Sequence, residues 1–257
     1  MTSELDPQEP SLPSVDEQPT KRIGNFLADG RCVPVGHGYR WLLRGWTIFR
    51  MAPLTWMGIA VTFMALMLAV SAIPIPIVNL LGNLLVPVFI GGISIGCQAI
   101  DDGEEIRFAH LFAGFKSNPG GLLLLGLLYF VAMLVLATVV GVVGALIAWI
   151  AGSGYEAASV PLLSLGFLTT LLLFVPMAMA IWLAPPLLVF HRLSAVQAIK
   201  TSFLVAWRNF APFCLYGLLV LLAAVFASLP LLLGWLVLLP VLYASLYAFY
   251  RDVFFEP

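Results

Sequence analysis

Charge is what this chain has least of. Only 10% of its 257 residues are Asp, Glu, Lys or Arg, against about 25% in an ordinary soluble domain, and 61% are hydrophobic, with a mean hydropathy of +1.03. Water is excluded as the main solvent. The formal net charge of −1 leaves no global basic excess, which excludes nucleic acid as a partner. Cysteine is scarce: Cys32, Cys97 and Cys214 have neither the even number of a disulfide framework nor the spacing of a metal site. They read as reduced thiols. The long apolar runs hold none of the Asp, Glu, His or Lys on which coupled transport usually depends. No basic start with an apolar centre marks a cleaved signal peptide, so the first membrane helix is expected to direct insertion itself.

What is present divides into two materials. Residues 1–36 scatter Pro7, Pro10, Pro13 and Pro19 among Glu4, Asp6, Glu9, Asp16 and Glu17 and have almost nothing to bury, which predicts a disordered tail on the cytoplasmic side. Residues 37–257 form the second unit, opened by the arginine-studded, aromatic stretch 37–56. Its Phe49, Arg50 and Pro53 recur as Phe115, Lys116 and Pro119, and one residue looser as Trp207, Arg208 and Pro212. Each time a long apolar run follows. The ring suits headgroup depth, the cation meets phosphate, and proline suits the first turn of the next helix. The pattern reads as a threefold internal repeat.

Each repeat predicts a surface helix followed by a membrane hairpin. In the first surface helix, Tyr39, Leu42, Trp46 and Phe49 form an apolar stripe while Arg40, Arg44 and Thr47 line another face. In the third, Ser194 and Gln197 fit a capping box, and Ala195, Ile199, Phe203 and Ala206 form the stripe. The second is expected around Phe108, Leu111, Phe112 and Phe115, with Asp102 and Glu105 as its cap and third-position partner and Asp101 and Glu104 solvated beside them. The uncharged runs 56–72, 77–100, 120–150, 160–190, 209–229 and 231–250 are each near or above the roughly 20 residues a crossing needs. Run 120–150 would be about 46 Å long at 1.5 Å per residue. The fold class expected is therefore all-α integral membrane: six transmembrane helices as three hairpins, each preceded by a cytoplasmic interfacial amphipathic helix. Under this arrangement all 12 Lys and Arg fall on one face, and of 13 Asp and Glu only Glu156 falls on the other. Basic loops face the cytoplasm, so both termini are expected there.

The order of His37-Gly38, Gly45-Trp46 and Phe49-Arg50 with Pro53, then Asp102-Gly103-Glu104-Glu105 leading to Leu111-Phe112, then 198–202 and Arg208-Asn209, then Gly234-Trp235 with Pro240, resembles an uncharacterised family of proteobacterial integral membrane proteins. The likeness covers nearly everything after the tail and implies a multi-pass protein of the bacterial inner membrane. More distantly, Pro185-Pro186 and 198–203 are similar to the membrane domain attached to some bacterial glycerophosphodiester phosphodiesterases. The chain has no soluble segment that could be the catalytic domain of those enzymes, so their activity is not implied.

Three function classes stay open. A non-enzymatic module binding lipid or a partner protein needs only surface helices, the small-residue seam of Gly92 and Gly96 and basic rims. A channel or transporter would use Asn79 and Asn83 as polar intramembrane groups. An interface enzyme would have to converge His37, Asp101, Asp102, His110 and His191, none of which pairs at a recognised spacing. The first class is the reading adopted, with no catalytic residues, no metal and no cofactor. Arg44, Arg50, Lys116 and Arg208, at or near the junctions of surface and membrane helices, are the candidate lipid-headgroup site, and Arg40 shares the first helix with two of them. The partners expected are the bilayer, an anionic phospholipid within it, and a membrane-protein partner or second copy.

Overall fold

A computed structural model describes residues 25–151, 155–230 and 233–256. The helices are α1 (His37–Met51), α2 (Pro53–Ser71), α3 (Pro76–Asp101), a 3-10 turn (Phe108–Phe112), α4 (Gly114–Ser117), α5 (Pro119–Ala151), α6 (Tyr155–Trp182), α7 (Ala184–His191), α8 (Ala195–Arg208), α9 (Phe210–Ser228) and α10 (Trp235–Phe254). Among the described residues, six helices are long and apolar enough to cross a membrane: α2, α3, α5, α6 continued by α7, α9 and α10. Consecutive spans pack on each other as three hairpins, α2 with α3, α5 with α6, and α9 with α10.

Proline places the helix starts. Pro53 and Pro76 lie in the first turns of α2 and α3, and Pro119 opens α5, where a missing N–H costs nothing. The residue before a proline is pushed out of the α region. Ala52 (φ −147°, ψ 64°) and Asn118 (φ −146°, ψ 64°) accordingly end α1 and α4 in the same conformation. In the third recurrence the proline is displaced to Pro212, and Asn209 relaxes to φ −107°, ψ 34°. The repeat read from the sequence is thus a repeat of backbone geometry at two of its three junctions.

The centre of the bundle is α3 and α10, whose apolar windows are 56% and 61% buried. At the other extreme α5 leaves Leu134, Val135, Val142, Leu146 and Trp149 more than half exposed, a surface that only lipid can solvate. α1 lies across α9 and α10. Its buried residues are Gly38, Trp41, Gly45, Ile48 and Phe49, while Tyr39 and Trp46 of the expected stripe are 51% and 43% exposed. α1 therefore has two apolar faces, and the glycine-bearing one packs. A Cβ at Gly45 would stand 2.6 Å from the Val241 carbonyl oxygen, so the glycine is what lets the helices approach.

The second surface helix does not form as expected. α3 ends at Gly103 (φ +86°), with the Gly103 N–H bonding the Ile100 carbonyl at 3.1 Å and the Glu104 N–H the Ala99 carbonyl at 2.8 Å. That pair is a Schellman C-cap, so Asp102 closes α3 and does not open the next helix. The chain resumes as the 3-10 turn and α4. The backbone of His110 and Gly114 presses on Gly92, so the glycine seam admits this connector. The third surface helix is α8, with its capping box in place: Gln197 N–H to Ser194 Oγ at 3.3 Å and Ser194 N–H to Gln197 Oε1 at 3.1 Å. Its buried face is Ala195, Ala198, Ser202, Val205 and Ala206, rotated from the expected stripe, and Phe203 stacks on Trp207 at 6.0 Å.

Run 160–190, expected to be one helix, breaks at Leu183. Pro185 and Pro186 cannot donate to the preceding turn. At the break the Leu183 N–H bonds Ser202 Oγ at 3.1 Å, and that hydroxyl donates to the Met179 carbonyl at 2.7 Å. The tail also needs correction. Its residues 1–24, like 152–154 of the expected outer turn, lie outside the described residues, but 25–31 pair with the C-terminal end of the chain. Leu27 N–H bonds the Phe254 carbonyl and Arg31 N–H the Val253 carbonyl, both at 2.8 Å. Asn209 holds the same strap, its Oδ1 accepting the Val33 N–H at 2.8 Å and its Nδ2 donating to the Arg31 carbonyl at 3.0 Å. Main-chain pairing and an amide clamp hold this segment, and composition registers neither.

Candidate functional site: a basic pocket at the end of the bundle

Burying Trp41, Gly45 and Ile48 turns the edge of α1 that carries His37, Arg40 and Arg44, at i, i+3 and i+7, toward the last turn of α10. The last two turns of α10 supply Tyr247, Arg251 and Asp252, and α3 ends there with Asp101. The strap 25–33, fixed to the end of α10, adds Arg31. These groups enclose a pocket of about 430 Å³, which Phe255 and Glu256 also line.

Asp252 organises it. One carboxylate oxygen accepts from Arg31 at 2.7 Å, and the other from His37 Nδ1 and from the Trp41 indole, each at 2.7 Å. Arg31 Nε also donates to the Asp252 carbonyl at 2.6 Å. A carboxylate only accepts and a guanidinium only donates. The Arg40 contact to His37 Nε2 at 3.1 Å therefore fixes the tautomer, with the proton on Nδ1 and the lone pair on Nε2. Asp101 is the second anchor. It pairs with Arg44 at 2.9 Å and with Arg251 at 3.7 Å, and the Tyr247 hydroxyl interacts with it too. Asp101 is thus an ion-pair partner, not a solvated cap.

Four guanidinium groups face three carboxylates here, and Arg40 pairs with no carboxylate among the described residues. Arg44 is 52% exposed, so its pair contributes at most about 1 kcal/mol and leaves it available. The arrangement suits a phosphate: Arg40 and Arg44 offer exposed donors, while Asp101 and Asp252 are already ion-paired. A second pocket of about 210 Å³ shares Tyr247, Arg251 and Phe255 and adds Gln98, Phe190, His191 and Tyr250. Its walls are stiffened by aromatic contacts, with Phe26 stacked on His191 at 3.5 Å and His191 Nε2 2.6 Å from the Tyr250 hydroxyl.

Of the residues expected to form the headgroup site, only Arg44 is in the pocket. Arg50 lies in the last turn of α1, Lys116 in α4 and Arg208 at the end of α8, and none of the three lines it. Arg208 donates to the Asp29 carbonyl at 3.0 Å. The three lie at the ends of different helices, while α3 and α10 occupy the centre and α1 lies across α9 and α10. Asn79 and Asn83 have their amide donors satisfied locally. Asn79 Nδ2 bonds the Ile73 carbonyl at 2.9 Å in the α2–α3 turn, and Asn83 Nδ2 bonds the Asn79 carbonyl at 2.8 Å. Sequence reasoning missed Arg31, assigned to the tail, and the Arg251-Asp252 pair. The spacing of His37, Arg40 and Arg44 was the available signal.

Of the other candidate polar residues, His110 accepts the Arg107 N–H on Nδ1 at 3.0 Å. Burial and then the Arg107 charge push its pKa down, against a smaller upward effect of Glu104.

The chain is 30% identical over 245 residues to a probable inner membrane protein of Burkholderia thailandensis, an alignment covering 84% of this chain and 90% of the relative. No family model matches the chain, and no solved structure does.

Proposed function

The chain belongs to the same family as that Burkholderia inner membrane protein, and from this premise we propose that it is a non-enzymatic, multi-pass inner-membrane module whose end pocket binds the phosphate headgroup of an anionic phospholipid. The observation that carries the reading is Arg40 and Arg44 standing beside Arg31 and Arg251 over carboxylates that are already engaged. Each cation near an anionic membrane surface is worth about 1 kcal/mol, so a cluster can retain one lipid where a single anchor cannot. The exposed Tyr39 and Trp46 of α1 suit the headgroup level and support a pocket at that depth, and the clustered basic residues support the cytoplasmic side. The likeness to a phosphodiesterase-attached membrane domain agrees with work at a phospholipid surface and brings none of that enzyme's chemistry.

The test is native mass spectrometry and lipid extraction of the protein in native nanodiscs, comparing wild type with the Arg40→Gln/Arg44→Gln variant. Both positions are exposed, and Asp101 keeps Arg251, so the fold survives. Retained phosphatidylglycerol and cardiolipin are expected to fall. An unchanged lipid complement in a folded variant overturns the reading.

A further inference from the structure

Deeper in the bundle lies a cavity of about 310 Å³ with no charged residue in its wall, at the lower end of the size range of small-molecule sites, about 300–1,000 Å³. Two wall residues are prolines, Pro87 within α3 and Pro185 at the start of α7, where the helical hydrogen-bond ladder is interrupted. Phe174 lines the cavity and is itself 43% exposed. Trp182, also in the wall, has a buried indole N–H with no hydrogen-bond partner. A buried donor needs an acceptor, and no apolar neighbour supplies one.

The cavity shares α3 and α10 with the basic pocket, and α7 runs from the cavity to the smaller polar pocket. On α10, Leu239, Leu242 and Leu246 face the cavity, and Tyr247 and Arg251 face the polar pockets. From Leu246 to Arg251 is about 7.5 Å along the helix axis. On α3, Ile90 lines the cavity and Gln98 the smaller polar pocket. Through α6 and α7 the order is Phe174, Trp182 and Pro185, then Phe190 and His191. Along α10 the order is apolar wall, Tyr247 and then Arg251, and along α7 it ends on the rings of Phe190 and His191.

We infer that the cavity holds one acyl chain of a diacyl phospholipid whose phosphate sits in the basic pocket, with an ester carbonyl accepting the Trp182 N–H. This rests on the headgroup reading above and adds to it the chain's seat and the linkage. The amphiphile runs as the wall does: phosphate at Arg40, Arg44 and Arg251, glycerol and ester past Tyr247 and Trp182, and chain beside Met177, Ala178 and Leu242, with its end toward Phe174.

The probe is phosphatidylglycerol carrying a diazirine midway along one acyl chain, incorporated into nanodiscs with the full-length protein. Photolysis and peptide mapping are expected to place adducts on Phe174, Met177, Ala178 or Leu239. Ala178→Phe, which fills the cavity, should lose them, and Trp182→Phe, which keeps the ring and removes the donor, should lower their yield. The same probe with a phosphatidylcholine headgroup should label weakly. Adducts confined to outward residues such as Leu134 and Leu221 in the wild-type protein overturn the inference whether or not any variant folds. If that happens while Arg40→Gln/Arg44→Gln still sheds anionic lipid, the chain seat alone has failed. If cavity adducts persist at full yield in the double arginine variant and with phosphatidylcholine, the headgroup link has failed, and the inference with it.

Discussion

The indole N–H of Trp41 on α1 donates to the Asp252 carboxylate at the end of α10 across 2.7 Å, joining residues 211 apart in the chain. The Trp41 ring stacks on Phe249 one turn earlier, with centroids 3.9 Å apart. One side chain therefore buries apolar area and positions the carboxylate that holds Arg31 and His37. Asp252→Ala would leave three donors without their acceptor. It is expected to cost about 1.5–3 kcal/mol, the range for hydrogen bonds to charged groups, and Asp252→Asn should cost less because it keeps a side-chain carbonyl. Chemical unfolding in mild detergent, with the loss of near-ultraviolet ellipticity as readout, measures both. Equal stability of Asp252→Ala and wild type would deny this carboxylate its organising role.

Much of the fold was legible because membrane chains announce their spans by composition and their starts by proline. Pro53 and Pro119 mark helix starts, and Ser194 with Gln197 marks the cap of α8, as expected. The misread places share a cause. In α1, apolar residues occupy two faces, and periodicity alone cannot say which is buried. Gly38 and Gly45, seven residues apart, marked the face that packs. Asp102-Gly103 was read as the start of a helix when the positive-φ glycine ends one. Arg31 and Arg251, 220 residues apart, meet only because the strap pairs with the end of α10, and no local pattern encodes that.

Gly45 gives a direct test of the packing face of α1. Gly45→Val brings a branched side chain against the Val241 carbonyl, the Ser245 amide and the Ser245 side chain, all within 2.9 Å of an ideal Cβ. Overpacking of this kind typically costs about 1–3 kcal/mol. Gly141→Ala in α5 meets nothing within 4 Å and is expected to be neutral or stabilising by about 0.5–1 kcal/mol, through the lower entropy cost of fixing a helix. Thermal unfolding of the two variants should separate them in opposite directions. A tolerated Gly45→Val would mean that α1 does not sit on α10 through this face.

His110 predicts a pH dependence. Its folded pKa is lowered, first by burial and then by Arg107, and its Nδ1 must stay unprotonated to accept the Arg107 N–H. The unfolded chain therefore takes up a proton near pH 6.5, above the pH at which the folded protein does. The stabilising contribution of His110 is fully present above that pH, and acidification toward the folded pKa removes it. The midpoint difference between wild type and His110→Asn, measured from pH 8 to pH 5, should shrink as the pH falls. A difference that stays constant or grows on acidification contradicts the assignment.

The last prediction concerns which way the bundle faces. The pocket, the strap and the ends of α3, α8 and α10 gather Arg31, Arg40, Arg44, Arg208 and Arg251 at one end of the bundle. The α2–α3 turn, with Ala72 and Ile73 exposed, carries no charge at all. Basic residues near membrane spans are retained on the cytoplasmic side, so the pocket is expected there and the α2–α3 turn outside. In a background with Cys32, Cys97 and Cys214 replaced, Ala72→Cys should react with an impermeant thiol reagent on intact cells. Ser117→Cys, after Lys116 in α4, should react only once the membrane is opened. The opposite pattern would invert the molecule and move the basic pocket to the leaflet where the inward charge bias cannot explain it. Labelling of both positions from outside would break the hairpin count between them, because Ala72 and Ser117 are separated by the single span α3.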